Sequence, residues 1–447
     1  MTGIFRAYDI RGIYGKDLNE EIAKRIGAAF GTINKGTIAV GMDARLSGPS
    51  LKTKLMEGLR STGCNVVDVG MITTPMMIFA VGNYKLDGGV MVTASHNPKD
   101  YNGFKLFTKG AMPLSYESGG QKVEEPVKSG NFTKGTGGVK NMDVVGDYSN
   151  FILGYVNVNG KGMKIIVDAG NGSAGRIHCD VLRKAGFEVT ELFCEPDGNF
   201  PNHVPDPTEP KNIEMLKQRV KETGADMGIA FDGDGDRLGV IDRHGNEVIP
   251  NDIFIMLAKH ALRMHGGGNV VVDLACSMTV SDSIGKAGGV THSCKVGHTY
   301  IAQMMAEQKA VFGGELSGHY FFRETFSGDD ALFASLKLLE FLHLNNTSFE
   351  KESAAIPRYF SQIGEHQAIP YDSAKGNPIE KIKRMYREKG CKVDDRDGAK
   401  IMYKDGWMLF RPSNTSPLIR YGFEARSRET FEEMRKMVEE IKGMIPA

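Results

Sequence analysis

Thr37-Ile38-Ala39-Val40-Gly41-Met42-Asp43 is a short apolar strand that ends in an acid. A helix-like stretch follows from Ser50 to Ser61, then Gly63, then a second strand from Asn65 to Val69. The same pass recurs twice. Residues 163–168, Met-Lys-Ile-Ile-Val-Asp, lead into a glycine-rich turn, a helix near Ile177–Ala185, Gly186 and a strand from Phe187 to Leu192. Residues 269–273, Asn-Val-Val-Val-Asp, lead into a helix near Thr279–Ala287, Gly288-Gly289 and a strand near Val290–Cys294. Short apolar runs bounded by glycine read as buried strands, and strands alternating with helices read as mostly parallel sheet. Three passes in order, roughly 100–125 residues apart, make an internal repeat. The expected fold class is α/β: three related α/β units with mixed, mostly parallel sheets, plus a smaller C-terminal α+β domain.

That last part follows Ile356-Pro357-Arg358-Tyr359. It carries a helix near Ile379–Lys389, strands near Lys400–Tyr403, Trp407–Phe410 and Leu418–Glu424, and a helix from Glu429 to Lys442. The expected boundaries are 1–148, 149–249, 250–355 and 356–447. Linkers are expected near Asp147–Phe151, Ile249–Asn251 and Ser353–Arg358. In such folds ligands sit at the carboxyl ends of the strands.

Composition narrows the function class. Of 447 residues, 41% are hydrophobic and 25% charged, which fits globular domains and excludes a disordered chain. Lys+Arg and Asp+Glu are equal at 55 each, so no overall field favours nucleic acid or an anionic membrane. The 55 glycines exceed the usual share, and scattered glycine marks tight turns and close backbone approaches to ligands. The six cysteines form no CxxC pair, which argues against a zinc ribbon or a thioredoxin motif and for reduced thiols. The N-terminus lacks the apolar core of a signal peptide, and no apolar run reaches ~18 residues. A cytoplasmic location is the expectation.

Four segments carry chemistry. The first is Val90-Met91-Val92-Thr93-Ala94-Ser95-His96-Asn97-Pro98, in which a strand delivers Ser95 and His96 into a loop. A serine beside a histidine reads either as a nucleophile with a base or as a polar turn. No Gly-x-Ser-x-Gly surrounds it, which disfavours a hydrolase elbow. The second is Phe231-Asp232-Gly233-Asp234-Gly235-Asp236-Arg237. Three carboxylates interleaved with two glycines repel one another unless a cation sits among them. An EF-hand needs Gly and Glu where this loop has Arg237 and Arg243, so that reading fails. Three hard oxygens with an open side suit Mg²⁺ shared with a phosphoryl oxygen, and Arg237 suits a phosphate. The third is Gly313-Gly314-Glu315-Leu316-Ser317-Gly318-His319. Its alternate residues share one face and offer carboxylate, hydroxyl and imidazole to a polyhydroxylated ligand such as a sugar, or they form a plain turn. The fourth is Arg411-Pro412-Ser413-Asn414-Thr415-Ser416-Pro417, a phosphate cradle without the lysine of a Walker A loop. Arg6, Arg11, Lys105, Lys295 and His298 are further basic candidates, each singly a surface charge until others join it.

Taken in order, these segments resemble the alpha-D-phosphohexomutase family, one motif per domain over essentially the whole chain. Thr-Ala-Ser-His-Asn-Pro is similar to its phosphoserine loop, and Asp-Gly-Asp-Gly-Asp-Arg to its metal loop, the most specific of the four. Gly-Glu-Leu-Ser-Gly-His is similar to its sugar loop, and Arg-Pro-Ser-Asn-Thr-Ser-Pro to its phosphate loop. The opening Phe5-Arg6-Ala7-Tyr8-Asp9-Ile10-Arg11-Gly12 and Leu316 in the sugar loop resemble the phosphomannomutase/phosphoglucomutase branch rather than the phosphoglucosamine branch. The resemblance implies four domains around a central cleft and a phosphoryl group carried on Ser95. It implies Mg²⁺ held by Asp232, Asp234, Asp236 and the Ser95 phosphate. It implies sugar hydroxyls on Glu315 and Ser317, and a phosphate held by Arg411, Ser413, Asn414 and Thr415. Arg11, Lys105 and His319 are implied as proton-handling or charge-stabilising groups, with Tyr8, His96, Arg237 and His298 lining the cleft. Ala275, before Cys276, stands where the branch often has lysine.

The activity so implied is interconversion of hexose 1-phosphate and hexose 6-phosphate, of mannose or glucose, through a bound hexose 1,6-bisphosphate that also serves as activator. A glucosamine phosphate mutase and a Mg²⁺-dependent sugar phosphatase are the rivals. The expected partners are small phosphosugars, with no nucleic acid and no membrane, in a monomer or homodimer.

Overall fold

The computed structural model describes residues 3–369, 376–413 and 418–445. The repeat read from the sequence is a repeat of topology. In the first unit, strands Thr37–Met42, Asn65–Met71 and Gly88–Val92 are parallel, with Thr37–Met42 in the middle. Tyr101–Thr108 runs antiparallel against Gly88–Val92. The second unit repeats this arrangement with Lys164–Asp168 between Glu188–Leu192 and Met227–Phe231, and with Leu238–Asp242 antiparallel at the edge. The third repeats it with Gly268–Asp273, Gly289–Cys294, Phe312–Gly314 and the antiparallel Tyr320–Phe322. The first unit extends its sheet further, chiefly with Ile10–Ile13 on Tyr101–Thr108 and Val139–Asn141 on Asn65–Met71. Each sheet is therefore mixed and mostly parallel, as expected.

The topology positions the chemistry. In every unit the turn between the third, parallel strand and its antiparallel neighbour carries a polar segment: Ser95 and His96, then Asp232 to Asp236, then Glu315 to His319. One place in the repeat has been used three times, each time at the carboxyl end of a buried strand.

The C-terminal unit is an antiparallel sheet in the order Phe360–Ala368, Leu418–Ala425, Gly406–Pro412, Ala399–Tyr403 and Lys392–Asp394. Its helices Gly376–Glu388 and Arg428–Lys442 cover one face around Ile382, Tyr386, Ile401, Phe410 and Met434. This core is its own, whereas one continuous apolar cluster runs through the first three units from Ala39 to Ile356. Residues 147–151, expected as a linker, lie instead inside the helix Val145–Gly154. Its Tyr148 and Phe151 are packing residues: Tyr148 donates to Asp330 of the third unit at 2.8 Å, and the Phe151 ring stacks on Phe326. Apolar side chains on one helical face win over the glycines and polar residues that suggested a connection. No helix among the described residues is long and apolar enough to cross a membrane.

Candidate active site

Ser95 sits at the turn after strand Gly88–Val92 with φ +50°, a left-handed conformation unusual for a residue with a side chain. Three contacts hold it there. Its N–H donates to Thr93 Oγ1 at 2.8 Å, and Thr93 Oγ1 donates to Asp43 Oδ2 at 2.7 Å. Its carbonyl accepts from Arg45 Nη2 at 2.7 Å. Arg45 is 1% exposed and also donates to the carbonyls of Asn97 at 2.6 Å, Pro98 at 2.6 Å and Tyr101 at 3.0 Å, and to Asp43 Oδ2 at 3.1 Å. One guanidinium thus ties the whole serine loop to the end of strand Thr37–Met42, while its face lies over the Phe200 ring of the second unit.

The acidic loop comes to the serine. Ser95 Oγ donates to Asp232 Oδ2 at 2.8 Å, across 137 residues of sequence. Gly233 makes this approach possible: a Cβ there would lie 2.6 Å from the Ser95 carbonyl oxygen. Asp232, Asp234 and Asp236 are 0% exposed, and an oxygen of each lies within 4.8 Å of the others. Their charge is only partly met. Lys105 Nζ donates to Asp234 Oδ2 at 2.7 Å and Asp236 Oδ2 at 2.5 Å, and Thr74 Oγ1 donates to Asp234 Oδ2 at 2.6 Å. Among the described residues, Asp234 Oδ1 and Asp236 Oδ1 are buried without a hydrogen-bond partner. Burial, then the neighbouring carboxylates, push the Asp232 carboxyl well above its usual range. Burial opposes the charge of Lys105, but the carboxylates of Asp234 and Asp236 outweigh it and raise its proton affinity. Buried, unpaired carboxylate oxygens converging on one space are what a hard divalent cation such as Mg²⁺ requires. The residues present fit that ion.

The third unit supplies His319. Its Nδ1 lies 2.7 Å from Asp329 Oδ2, and Arg237 Nε donates to its Nε2 at 3.0 Å. An Nε2 that accepts carries no proton, so Nδ1–H is the donor to Asp329. Burial disfavours the imidazolium, but Asp236 and Asp329 outweigh it and raise the proton affinity of the ring. His298 stacks on His319 with ring centroids 5.6 Å apart and packs edge-on against Tyr8. Burial and the surrounding cations, Lys105 for His298 and Arg237 for His96, hold both imidazoles neutral. His96 Nδ1 lies 3.2 Å from Ser95 Oγ. Arg11 Nη1 donates to Asn97 Oδ1 at 2.5 Å and pairs with Asp9.

Farther along the cleft, Ser317 Oγ donates to Glu315 Oε1 at 2.5 Å, and Tyr8 OH donates to the Val296 carbonyl at 2.6 Å. Arg411 from the C-terminal unit stands 4.0 Å from Asp397, which accepts from Val296 N–H at 2.9 Å. Ser413 is buried at the end of its strand. Asn414 and Thr415 lie outside the described residues. Beside Ala275, Lys400 of the C-terminal unit donates to the Leu274 carbonyl at 2.6 Å, so an amine reaches this place from another domain.

Thus the structure brings Ser95, His96, Lys105, the three aspartates, Arg237, His298 and His319 into one polar centre, with Arg11 and Tyr8 at its edge. Sequence reasoning missed Arg45, Thr74 and Asp329. Arg45 had a signal, an arginine two residues after the strand-ending Asp43. Asp329 had none of its own, because Asp330 beside it reads as the helix cap that it is.

Family models described as phosphoglucomutase/phosphomannomutase alpha/beta/alpha domains I, II and III match residues 2–134, 146–245 and 249–359, and the C-terminal domain model matches 370–441. The chain is 39% identical to a phosphomannomutase/phosphoglucomutase of Pseudomonas putida over 95% of its length and 92% of the relative's. It is 37% identical to a phosphoglucomutase of Neisseria meningitidis over 98% and 96%. A crystal structure of a phosphoglucomutase/phosphomannomutase family protein from Burkholderia thailandensis superposes with a TM-score of 0.90 at 33% identity, covering 99% and 97% of the two chains. Four domain models in order, with close relatives over nearly the full length, show that this chain belongs to the phosphoglucomutase/phosphomannomutase family.

Proposed function

We propose that the chain interconverts hexose 1-phosphate and hexose 6-phosphate, of mannose or glucose, by lending a phosphoryl group from Ser95. The observation that carries this reading is the 2.8 Å contact of Ser95 Oγ with Asp232 in a loop of three buried carboxylates. A serine hydroxyl beside a divalent-cation site suits phosphoryl transfer, in which positioning and charge neutralisation do most of the work. Asp232, Asp234 and Asp236 would hold Mg²⁺, which when bound neutralises charge on the transferring group.

The phosphorylated Ser95 meets the free O6 hydroxyl of a bound hexose 1-phosphate. The Oγ–P bond breaks as the O6–P bond forms. The O6 proton leaves to a base, for which His319 Nε2 offers a lone pair once Arg237 turns from it to a phosphate. A proton returns to Oγ and restores the hydroxyl. The resulting hexose 1,6-bisphosphate reverses its orientation, and its O1 phosphoryl is transferred to Ser95. Glu315 and Ser317 suit sugar hydroxyls presented in both orientations, and Arg411 suits the phosphate that is not being transferred.

Turnover of mannose, glucose and glucosamine 1-phosphates by the wild-type chain and Ser95→Ala tests the reading. Isomerisation that needs Ser95, with mannose or glucose preferred, is expected. A glucosamine preference would reassign the substrate, inorganic phosphate as the main product would make the chain a phosphatase, and full turnover by Ser95→Ala would refute the phosphoserine.

A further inference from the structure

The second unit holds two thiols against each other. Cys179 Sγ donates to Cys194 Sγ at 3.6 Å, and Cys194 Sγ donates to the Val167 carbonyl at 3.3 Å. Both side chains are buried, and neither is in a disulfide. Among the described residues no other thiol donates to a thiol. Cys179 lies on helix Gly175–Lys184, one turn after Gly175 and so on the same helical face. That face rests on the chain leaving strand Glu188–Leu192: a Cβ at Gly175 would lie 2.6 Å from the Cys194 Cα. Phe193 bends the chain there with φ +52°, unusual for an aromatic residue. The strand is the edge of its sheet, with Glu188, Thr190 and Glu191 exposed. Local opening is least costly at such an edge, and a small oxidant enters there.

The pair sits behind the acidic loop. Asn171 N–H donates to the Phe193 carbonyl at 2.7 Å and Asn171 Nδ2 to the Glu195 carbonyl at 2.8 Å, so this residue is tied on both sides of Cys194. Two residues on, Ser173 N–H and Oγ donate to the Gly233 carbonyl at 3.0 and 3.2 Å. Gly233 lies between Asp232 and Asp234. His178, beside Cys179, packs edge-on against Phe231 with ring centroids 4.4 Å apart. Each thiol is therefore one short step from the backbone that carries the three aspartates.

We propose that Cys179 and Cys194 are a redox-sensitive pair, which a peroxide oxidises to a disulfide that displaces the acidic loop and slows turnover. The effect on turnover rests on the mutase reading above; the bond itself does not. The hydrogen bond to Cys194, then burial, push the Cys179 thiol up, so Cys194 reacts first. Its sulfur attacks one peroxide oxygen: the S–O bond forms, the O–O bond breaks, and the departing oxygen takes the thiol proton and leaves as water. The Cys179 sulfur then attacks the sulfenic sulfur: the S–S bond forms, the S–O bond breaks, and a second water leaves with the Cys179 proton. The two thiols give up two electrons, and peroxide is reduced to two waters. Disulfide sulfurs lie ~2.05 Å apart, so the pair closes by about 1.5 Å. Asn171 follows the strand end, and Ser173 draws Gly233 with it. Displacement of a reacting group by about 1 Å lowers turnover on the order of 100-fold.

Wild type, Cys179→Ser, Cys194→Ser and the control Cys391→Ser would be treated with hydrogen peroxide in the presence of Mg²⁺. Turnover of glucose 1-phosphate at saturating glucose 1,6-bisphosphate is then measured before and after dithiothreitol, and peptide mapping without reduction follows the bond. Wild type and Cys391→Ser should gain a Cys179–Cys194 link, lose the mass of two hydrogen atoms and fall at least about tenfold in kcat, with recovery on reduction. Cys179→Ser and Cys194→Ser should match untreated wild type and keep most of their turnover under the same treatment. A linked wild type with unchanged kcat, or a treated wild type that gains no link, overturns the proposal. Equal inactivation of the two serine variants places the oxidation elsewhere and also overturns it. If the untreated chain isomerises no hexose phosphate, the mutase reading falls together with the effect on turnover, while the peptide map still decides the bond. Should a serine variant fail to fold, Cys179→Ala or Cys194→Ala takes its place.

Discussion

Replacing Arg45 by methionine keeps the aliphatic stem and removes every donor that fixes the serine loop. Four carbonyl oxygens, those of Ser95, Asn97, Pro98 and Tyr101, lose a charged partner at 2.6–3.0 Å. Asp43 is left buried with Thr93 and the Arg45 backbone N–H as its remaining partners. Breaking a buried ion pair from one side costs about 3–5 kcal/mol. At ~2–4 °C per kcal/mol for a unit of this size, the transition that includes the first unit should fall by roughly 10 °C. The effect on turnover follows from Ser95 itself. Its left-handed backbone relaxes once the carbonyl is released, and Oγ moves off Asp232. Misplacement of a reacting group by about 1 Å lowers turnover on the order of 100-fold. Scanning calorimetry and kcat for glucose 1-phosphate at saturating bisphosphate measure the two effects. Arg45→Lys keeps a charge but not the fork, and should fall between. A methionine variant that melts within about 2 °C of wild type and keeps its kcat within about twofold would refute the claim that this guanidinium holds the serine in place.

Gly233→Ala places a methyl group 2.6 Å from the Ser95 carbonyl, so the acidic loop must draw back; kcat should fall at least about tenfold with thermal stability nearly kept, and an unchanged kcat would contradict the close approach. Lys105→Met removes the ammonium between Asp234 and Asp236. Without a divalent cation the variant should melt well below wild type, and Mg²⁺ should raise its midpoint more than that of wild type; equal Mg²⁺ shifts would count against the shared-charge account. Glu340 is buried beside His260 and Lys337. Burial pushes its carboxyl up, but hydrogen bonds from those two and from Asn157 N–H outweigh this and hold it at about 2, below its ordinary 4.5. A depressed carboxyl adds stability that is complete above the unfolded value and is lost as pH falls from 4.5 towards 2. Glu340→Gln should therefore melt lower than wild type at neutral pH, with the gap closing in acid; a gap that stays constant down to about pH 3 would contradict this.

Much of this molecule was legible in its sequence because the repeat writes itself three times. Each central strand is a run of apolar residues ending in an acid, and each chemical segment falls in the same turn, so one reading supported the next. Asp232 to Asp236 was the plainest, since three acids separated by glycines have few uses besides holding a cation. What stayed hidden depends on contacts across the chain. Arg45 reads locally as a polar residue in a loop, and only folding sets it under carbonyls 50–56 residues away. Asp329 gains its role from the imidazole of His319, which arrives from the neighbouring strand. The helix Val145–Gly154 escaped because its apolar face is completed by Phe79 and Phe326 from two other units.

The central claim is that Ser95 carries phosphorus between two positions of one sugar. Intact mass of the chain before and after incubation with glucose 1,6-bisphosphate and Mg²⁺, followed by peptide mapping, tests it directly. One added phosphoryl group on Ser95, discharged on addition of glucose 1-phosphate, is the expected result. A wild-type chain that isomerises hexose phosphates while never gaining mass at Ser95 would contradict it.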